Sequence, residues 1–436
     1  MKKIFYYFFF CLTLSNLLIA KEKADIIVAK DGSGNFNSIQ SAIESIKENN
    51  QEHKIIYVKN GLYNEKLFIH NSNISIVGEN RDSTIIRFAE LRSNWIEKNS
   101  DSFGSATINI DSNTYNITFA NLTIHNNYGS IHGENGHQFA ILGLGTKVYL
   151  LDCNVIADGG DTVSLWDQED GMYYHNNCYF EGWVDYVCPR GWCYITDSKF
   201  YGHNLTASLW HKGIGDKDQK FVIRYSYFDG IPGFPLGRHH SDAQFYLLDC
   251  IFSENMADVP IFWPVSKNAQ IWEWGQRHYY YNNHRLGGDY KWFEDNLEDA
   301  EGNPEPSEIT AAWTFSGMWN PEKEMPSVLP YVYLPKPRNG SYDITLETIL
   351  NWIPSRNAES FNIYFWKSKF PQALENGEKL KDGPSAVGEP IFIKNQTEKY
   401  FNPETLEKNS TYYWRIDEIV DGAAVEGPLW HFTTKE

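Results

Sequence analysis

The stretch "VYLLDCNV" at residues 148–155 returns almost unchanged as "FYLLDCIF" at 245–252. Between the two lie "YHNNCYFEG", "YITDSKFYG" and "IRYSYFDG". Superimposing Cys153, Cys178, Ser198, Ser226 and Cys250 gives steps of 25, 20, 28 and 24 residues, and an earlier copy, "ITFANLTIHN", sets Leu122 against Cys153. Each unit is a short apolar/polar alternation that ends in a turn-forming Gly or Asn. One such strand cannot bury its face alone, whereas stacked copies can. Unequal steps in the twenties, short β-rich units and few helical periods predict an all-β chain wound as a parallel β-helix. A propeller would need longer units, with about four strands per blade.

The text on either side of the repeats fits this reading. "FNSIQSAIESIKE" (36–48) places Ile39, Ala42, Ile43 and Ile46 at helical spacing, which predicts a helix capping the open end of the solenoid. "KIIYVKNGLY" and "ISIVGENRDSTIIRF" read as strand–turn–strand. The first twenty residues, "MKKIFYYFFFCLTLSNLLIA", hold two lysines and then an apolar run, and read as a signal peptide cut near Ala20. The expected product is exported, secreted or periplasmic. The β-helix is assigned to 21–325. A linker is assigned to 326–340, where "NPEKEMPSVLPYVYLPKPRNG" (320–340) is rich in proline. Residues 341–436 alternate again, and Leu406 stands six positions before Tyr412, a spacing that resembles the tyrosine corner of a fibronectin type III sandwich.

A formal net charge of −18 argues against nucleic acid and against an anionic membrane surface as partners. Beyond residue 20 no stretch is long and apolar enough to span a bilayer. Five cysteines remain in the expected product: Cys153, Cys178, Cys188, Cys193 and Cys250. An odd number defines no disulfide framework, so a Cys188–Cys193 pair and free buried thiols both stay open. No Cys/His spacing suits zinc. Aromatic residues make up 16% of the chain, a surplus that serves core packing or sugar stacking.

Four segments carry polar residues that strand alternation does not require: "GHQFAILGL" (136–144), "DGGDTVSLW" (158–166), "EGWVDYVCPRG" (181–191) and "FPLGRHH" (234–240). Asp185 is the oddest of these residues. On an extended chain it shares a face with Trp183 and Val187, where a carboxylate is costly unless compensated. Asp161 precedes it by 24 residues, about one coil, so the two acids are expected on adjacent rungs about 4.8 Å apart. Acids that close push their pKa values apart, one ionised and one protonated. Arg238 lies further along and returns to the same face if the coils stay in register.

These segments resemble those of the pectin methylesterases, carbohydrate esterases built on a right-handed β-helix. "IIVAKDGSGNFNSIQSAIESI" (26–46) resembles that family's opening and "YVKNGLYNEKLFI" continues it. "HQFAILGL", "GDTVSL", "FEGWVDYV" and "LGR" (236–238) resemble four further family segments, and "AAWTFSGMWNPE" (311–322) resembles its ending. The resemblance implies that Asp185 is the nucleophile toward a methyl-esterified galacturonate, Asp161 the general acid and then base, Arg238 the group that keeps Asp185 ionised, and Gln138 an oxyanion donor. It implies a pectin-like uronic-acid polysaccharide as partner, and no metal or organic cofactor. We expect a monomer.

The sequence also departs from the family. Gly160 stands where a second oxyanion-hole Gln is usual, Ser164 replaces a Tyr, "CPRGW" brings in Arg190 and Trp192, and His239 and His240 replace a Pro-Trp pair. Trp166, Trp183, Arg190, Trp192, His239 and His240 are therefore the candidate substrate contacts, with Trp210 as a further sugar platform. Two other readings stay open: a lyase or glycoside hydrolase on the same fold, and a pectin-binding protein without activity.

Overall fold

The computed structural model describes residues 24–47, 50–213, 215–263, 273–355, 357–368 and 389–435. The expected signal peptide lies outside them. No helix among the described residues is long and apolar enough to cross a membrane. The chain divides between Met325 and Pro326 into two compact units.

The first unit is a parallel β-helix. Among the described residues, ten short strands from Ile26–Val28 to Arg277–Tyr281 form one sheet, and nine strands from Gly61–Tyr63 to His284–Arg285 form a second. A third sheet is interrupted. Leu67–Ile69, Ala106–Ile110, Phe139–Gly143 and Val163–Leu165 pair in parallel, Val187 bridges onward alone, and Leu209–His211 with Gly237–His239 complete it.

The register matches the repeat spacing. Asn154 pairs with Tyr179, Tyr179 with Lys199, Lys199 with Tyr227 and Tyr227 with Ile251, so Cys153, Cys178, Ser198, Ser226 and Cys250 stack one above another. Thr123 pairs with Asn154, which puts Leu122 on the same column. The residue before each of these is left-handed: Asn121, Asp152, Asn177, Asp197, Tyr225 and Asp249 have φ between 48° and 55°. Asn and Asp tolerate this conformation because their short side chains bond locally. That is why a sharp corner between two sheets is written "LDC", "NNC" or "TDS". Inside the coil, Phe180, Phe200, Phe228 and Phe252 stack on successive rungs with centroids 5.3, 4.2 and 5.3 Å apart. All five described cysteines are buried and free, which closes the Cys188–Cys193 alternative.

The capping helix is present as Ile39–Glu44, with Ile39, Ala42 and Ile43 buried. Ser38 caps it, and the Glu65 carboxylate accepts from the amides of Ile39 and Gln40 at its open end.

The second unit packs two sheets. Tyr333–Lys336, Leu350–Ile353 and Tyr400–Phe401 form the smaller. Ser341–Ile344, Leu429–Thr434, Thr411–Val420, Ser360–Lys367 and Phe392–Gln396 form the larger. Trp352, Phe361, Tyr412, Trp414 and Phe432 fill the space between them. The segment 326–340, read from its prolines as a linker, carries the strand Tyr333–Lys336. Pro335 is tolerated there because the strand lies at a sheet edge. Tyr412 Oη accepts a 2.9 Å hydrogen bond from the Glu407 amide, and Leu406 is buried.

Candidate active site

The break in the third sheet is where the acids sit. Val163 bridges Val187, a step of 24 residues, so Asp161 and Asp185 occupy the same position on adjacent rungs. The run 183–187 is not the strand that its alternation predicts. The chain turns at Trp183–Asp185, and both Asp185 and Asp161 are left-handed, with φ of 53° and 62°. Their backbone amides are held by the ladder, Asp161 N to Val184 O and Asp185 N to Ala207 O, each 2.9 Å. Two non-glycine residues in a sparsely populated conformation, one above the other, aim their carboxylates out of the coil rather than into it.

Arg238 answers the cost of burying Asp185. Its Nε donates to Oδ1 at 3.0 Å and its Nη2 to Oδ2 at 2.6 Å, a two-pronged pair on a residue that is 7% exposed. Burial is the largest influence on Asp185 and pushes its carboxyl up to about 6. The Arg238 hydrogen bonds and charge oppose the rise, Asp161 adds to it, and His137 works against it. The shift falls on the carboxylate that Arg238 holds, so Asp185 is mostly ionised at neutral pH and becomes neutral as pH falls through about 6.

Asp161 has a partner that was not among the candidates. His137 Nδ1 lies 2.6 Å from Asp161 Oδ2. This bond is the largest influence on the imidazole and lifts its pKa above the ordinary value. His137 also bridges Gly160, the position where a glutamine was expected. A Cβ at Gly160 would lie 2.8 Å from Val184 Cγ1 and 3.0 Å from Val184 O, so a longer residue there has to push Val184 aside. Spacing alone signals His137: it precedes Asp161 by 24 residues, as Asp161 precedes Asp185.

Other candidates divide. Gln138 is fully buried; its Oε1 accepts from the Gly129 amide at 2.8 Å and its Nε2 donates to Glu134 O at 2.7 Å. Its amide closes the loop 129–138 and lies against Gly159, two residues before Asp161. Trp192 is 4% exposed, belongs to the ten-stranded sheet and donates to Asp218 O, so it packs instead of offering a platform. His239 is fully buried, bonded to Ser241 O and to His278, and burial takes its pKa down to about 4. Strand alternation turns it inward while Arg238 faces out. Trp183 is half-buried and stacks on His203 at 5.7 Å.

Trp166, Arg190, Trp210 and His240 do come together. The Arg190 guanidinium carbon lies 3.9 Å from the Trp166 ring centre and 5.6 Å from that of Trp210. Trp210 is the register partner of Arg238 and donates through Nε1 to His240 Nδ1 at 3.1 Å. Arg190 Nε is buried without a hydrogen-bond partner. The arrangement sets a cation between two indoles, beside an acid pair with its own arginine. Among the described residues no group of three or more His, Cys, Asp or Glu is placed to hold a metal.

Comparison with known proteins puts this geometry in context. Residues 25–207 match the family model described as Pectinesterase. Probable pectinesterase 56 from Arabidopsis thaliana is 32% identical over 172 residues, which cover 39% of this chain and 55% of that protein. The chain thus spans about half the length of that relative. Among solved structures, pectin methylesterase PemA from Erwinia chrysanthemi superposes with a TM-score of 0.55 at 21% identity, over 69% of this chain and 98% of that one. A pectin methylesterase in complex with a hexasaccharide superposes equally well at 20% identity, over the same shares. At these identities the superpositions establish the parallel β-helix.

Proposed function

We propose that this chain, with its parallel β-helix and its match to the Pectinesterase family model, hydrolyses methyl esters of galacturonate units in a pectin-like polysaccharide and releases methanol. The observation that carries the reading is the Asp185–Arg238 pair, bidentate and buried, one rung from Asp161. Asp185, ionised at neutral pH, attacks the ester carbonyl carbon. The C–OCH₃ bond breaks, and the departing methoxide takes a proton from the Asp161 side of the site. Water then adds to the acyl carbon, gives its proton back to that side and frees Asp185. Arg238 holds Asp185 in its reacting orientation throughout.

Arg190, flanked by Trp166 and Trp210, suits a uronate carboxylate set against sugar-stacking rings. His240 and Trp183 stand at the margins of the same wall. We further read residues 1–20 as an export signal. The C-terminal unit we read as a fibronectin type III-like module, on the bond between Glu407 and Tyr412 and its two-sheet packing.

The test is methanol release from highly methylated polygalacturonate by the mature protein and by Asp185→Asn. Release by the first alone supports the esterase and its nucleophile. No release from either, on this substrate and on branched pectins, refutes it; binding without product would then mark a binding protein.

A further inference from the structure

We infer that His137 is a catalytic residue of this site, the carrier that hands a proton from its Nε2 to the departing alcohol while Asp161 holds it by Nδ1. The inference rests on the esterase reading above. Four observations support it. The Nδ1–Oδ2 distance is 2.6 Å, a charge-assisted bond. A carboxylate oxygen this close to Nδ1 is engaged with the ring, and the bond favours the protonated imidazole. The Asp161 side chain is 13% exposed while that of His137 is 48% exposed, so the imidazole is the outer member of the pair. Its Nε2 has no hydrogen-bond partner among the described residues, which leaves one N–H directed away from Asp161. Gly160, bridged to His137, contributes no side chain to cover the ring; a Cβ there would lie 3.8 Å from Nδ1.

The charged groups facing the imidazole are Asp161, Asp185 and Arg92. Asp161 and Asp185 favour the protonated ring and Arg92 disfavours it. Burial also works against the protonated ring, and the bond to Asp161 outweighs it, so the imidazole is raised above its ordinary value.

An Asp185 oxygen forms a bond to the ester carbon. The C–OCH₃ bond breaks, and the leaving oxygen takes the Nε2 proton, which leaves neutral His137 beside ionised Asp161. In the second half His137 Nε2 takes a proton from water as the water oxygen bonds to the acyl carbon, and the Asp185–acyl bond breaks. The site returns to its starting protonation with one acid and one methanol formed. The same constellation, an imidazole steered by a carboxylate on its far nitrogen, is how a histidine is kept in the tautomer that works on substrate.

A structural role for His137 would predict a modest loss on every ester. A proton-donor role predicts a loss that depends on the leaving group. The experiment compares wild type, His137→Gln and His137→Ala on the methyl and the 2,2,2-trifluoroethyl esters of one oligogalacturonide, following alcohol release in the first turnover. With the methyl ester the variants should lose about 10²–10⁴-fold in rate. With trifluoroethanol, a better leaving group, they should still release a burst of one equivalent per enzyme and then turn over slowly, since water activation is also impaired. The alkaline limb of the wild-type pH–rate profile should vanish in both variants. Near wild-type turnover of the methyl ester would overturn the inference, as would equal loss of both bursts in a variant whose melting temperature is unchanged. If wild type releases neither alcohol, the esterase reading has failed and this one with it. If wild type is active and only Asp185→Asn is dead, the esterase stands and His137 is not its proton carrier.

Discussion

Replacing Arg238 by glutamine removes the charge that keeps Asp185 ionised and leaves the carboxylate buried. In the wild type, burial has already taken the Asp185 carboxyl to about 6 against the arginine's opposition. An opposite charge at contact distance lowers an aspartate by about 1–3 units, so its loss should raise the group by that much again. Taking the middle of that range, Asp185 in Arg238→Gln titrates near ~8. About nine-tenths of the wild-type carboxylate is ionised at pH 7 and about one-tenth of the variant's, a loss of about tenfold in kcat/KM from ionisation alone. The loss should recover as pH rises, because the acid limb has moved and the nucleophile is still there. The assay is methanol release at subsaturating substrate from pH 4 to 10. Arg238→Lys, which keeps the charge but not the two-pronged geometry, should show a smaller displacement of the limb and a separate, pH-independent drop. An Arg238→Gln profile whose acid limb stays near 6 while the whole curve falls would refute the argument; Arg238 would then orient Asp185 without governing its protonation.

Stability should move opposite to activity in Asp185→Asn. The folded pKa lies above the unfolded value of 3.8, so the folded state binds the proton more tightly, and stability is lost as pH rises from about 4 to about 6. Two units correspond to about 3 kcal/mol, and the neutral amide should recover about 1–3 kcal/mol of it at pH 7 and almost none at pH 4, as read by denaturant unfolding of the first unit; equal effects at both pH values would contradict the assignment. Arg190→Gln should raise KM about 10–100-fold on partly de-esterified oligogalacturonides with kcat held, the worth of a charge-assisted bond, and should matter much less on fully methylated ones; an equal effect on both would remove the carboxylate from the picture. Gly160→Gln should cost about 1–3 kcal/mol through the contact with Val184, measured as a lower melting temperature; an unchanged melting temperature would mean that the turn has room.

The amino-acid sequence determined the coil and its register. The steps between Cys153, Cys178, Ser198, Ser226 and Cys250 are the steps of the ladder, because in a solenoid each residue meets the same position of the next turn and local spacing becomes tertiary contact. For the same reason Asp161 and Asp185 were legible as neighbours, and His137 was legible in principle, one identical step earlier. What the spacing could not supply was direction. Asp185 sits in what reads as an alternating strand, yet the chain turns there and both acids adopt the left-handed conformation that points them outward. Gln138 and His239 stand in the right segments, and both are buried and held by backbone partners. The proline-rich stretch that opens the second unit reads as a linker because proline's lost N–H is visible in sequence and the sheet edge that excuses it is not. Position along a solenoid is one-dimensional information and is written in the chain. The aim of a side chain, its partner and its proton depend on what neighbouring coils bring to it, and only the folded coil decides them.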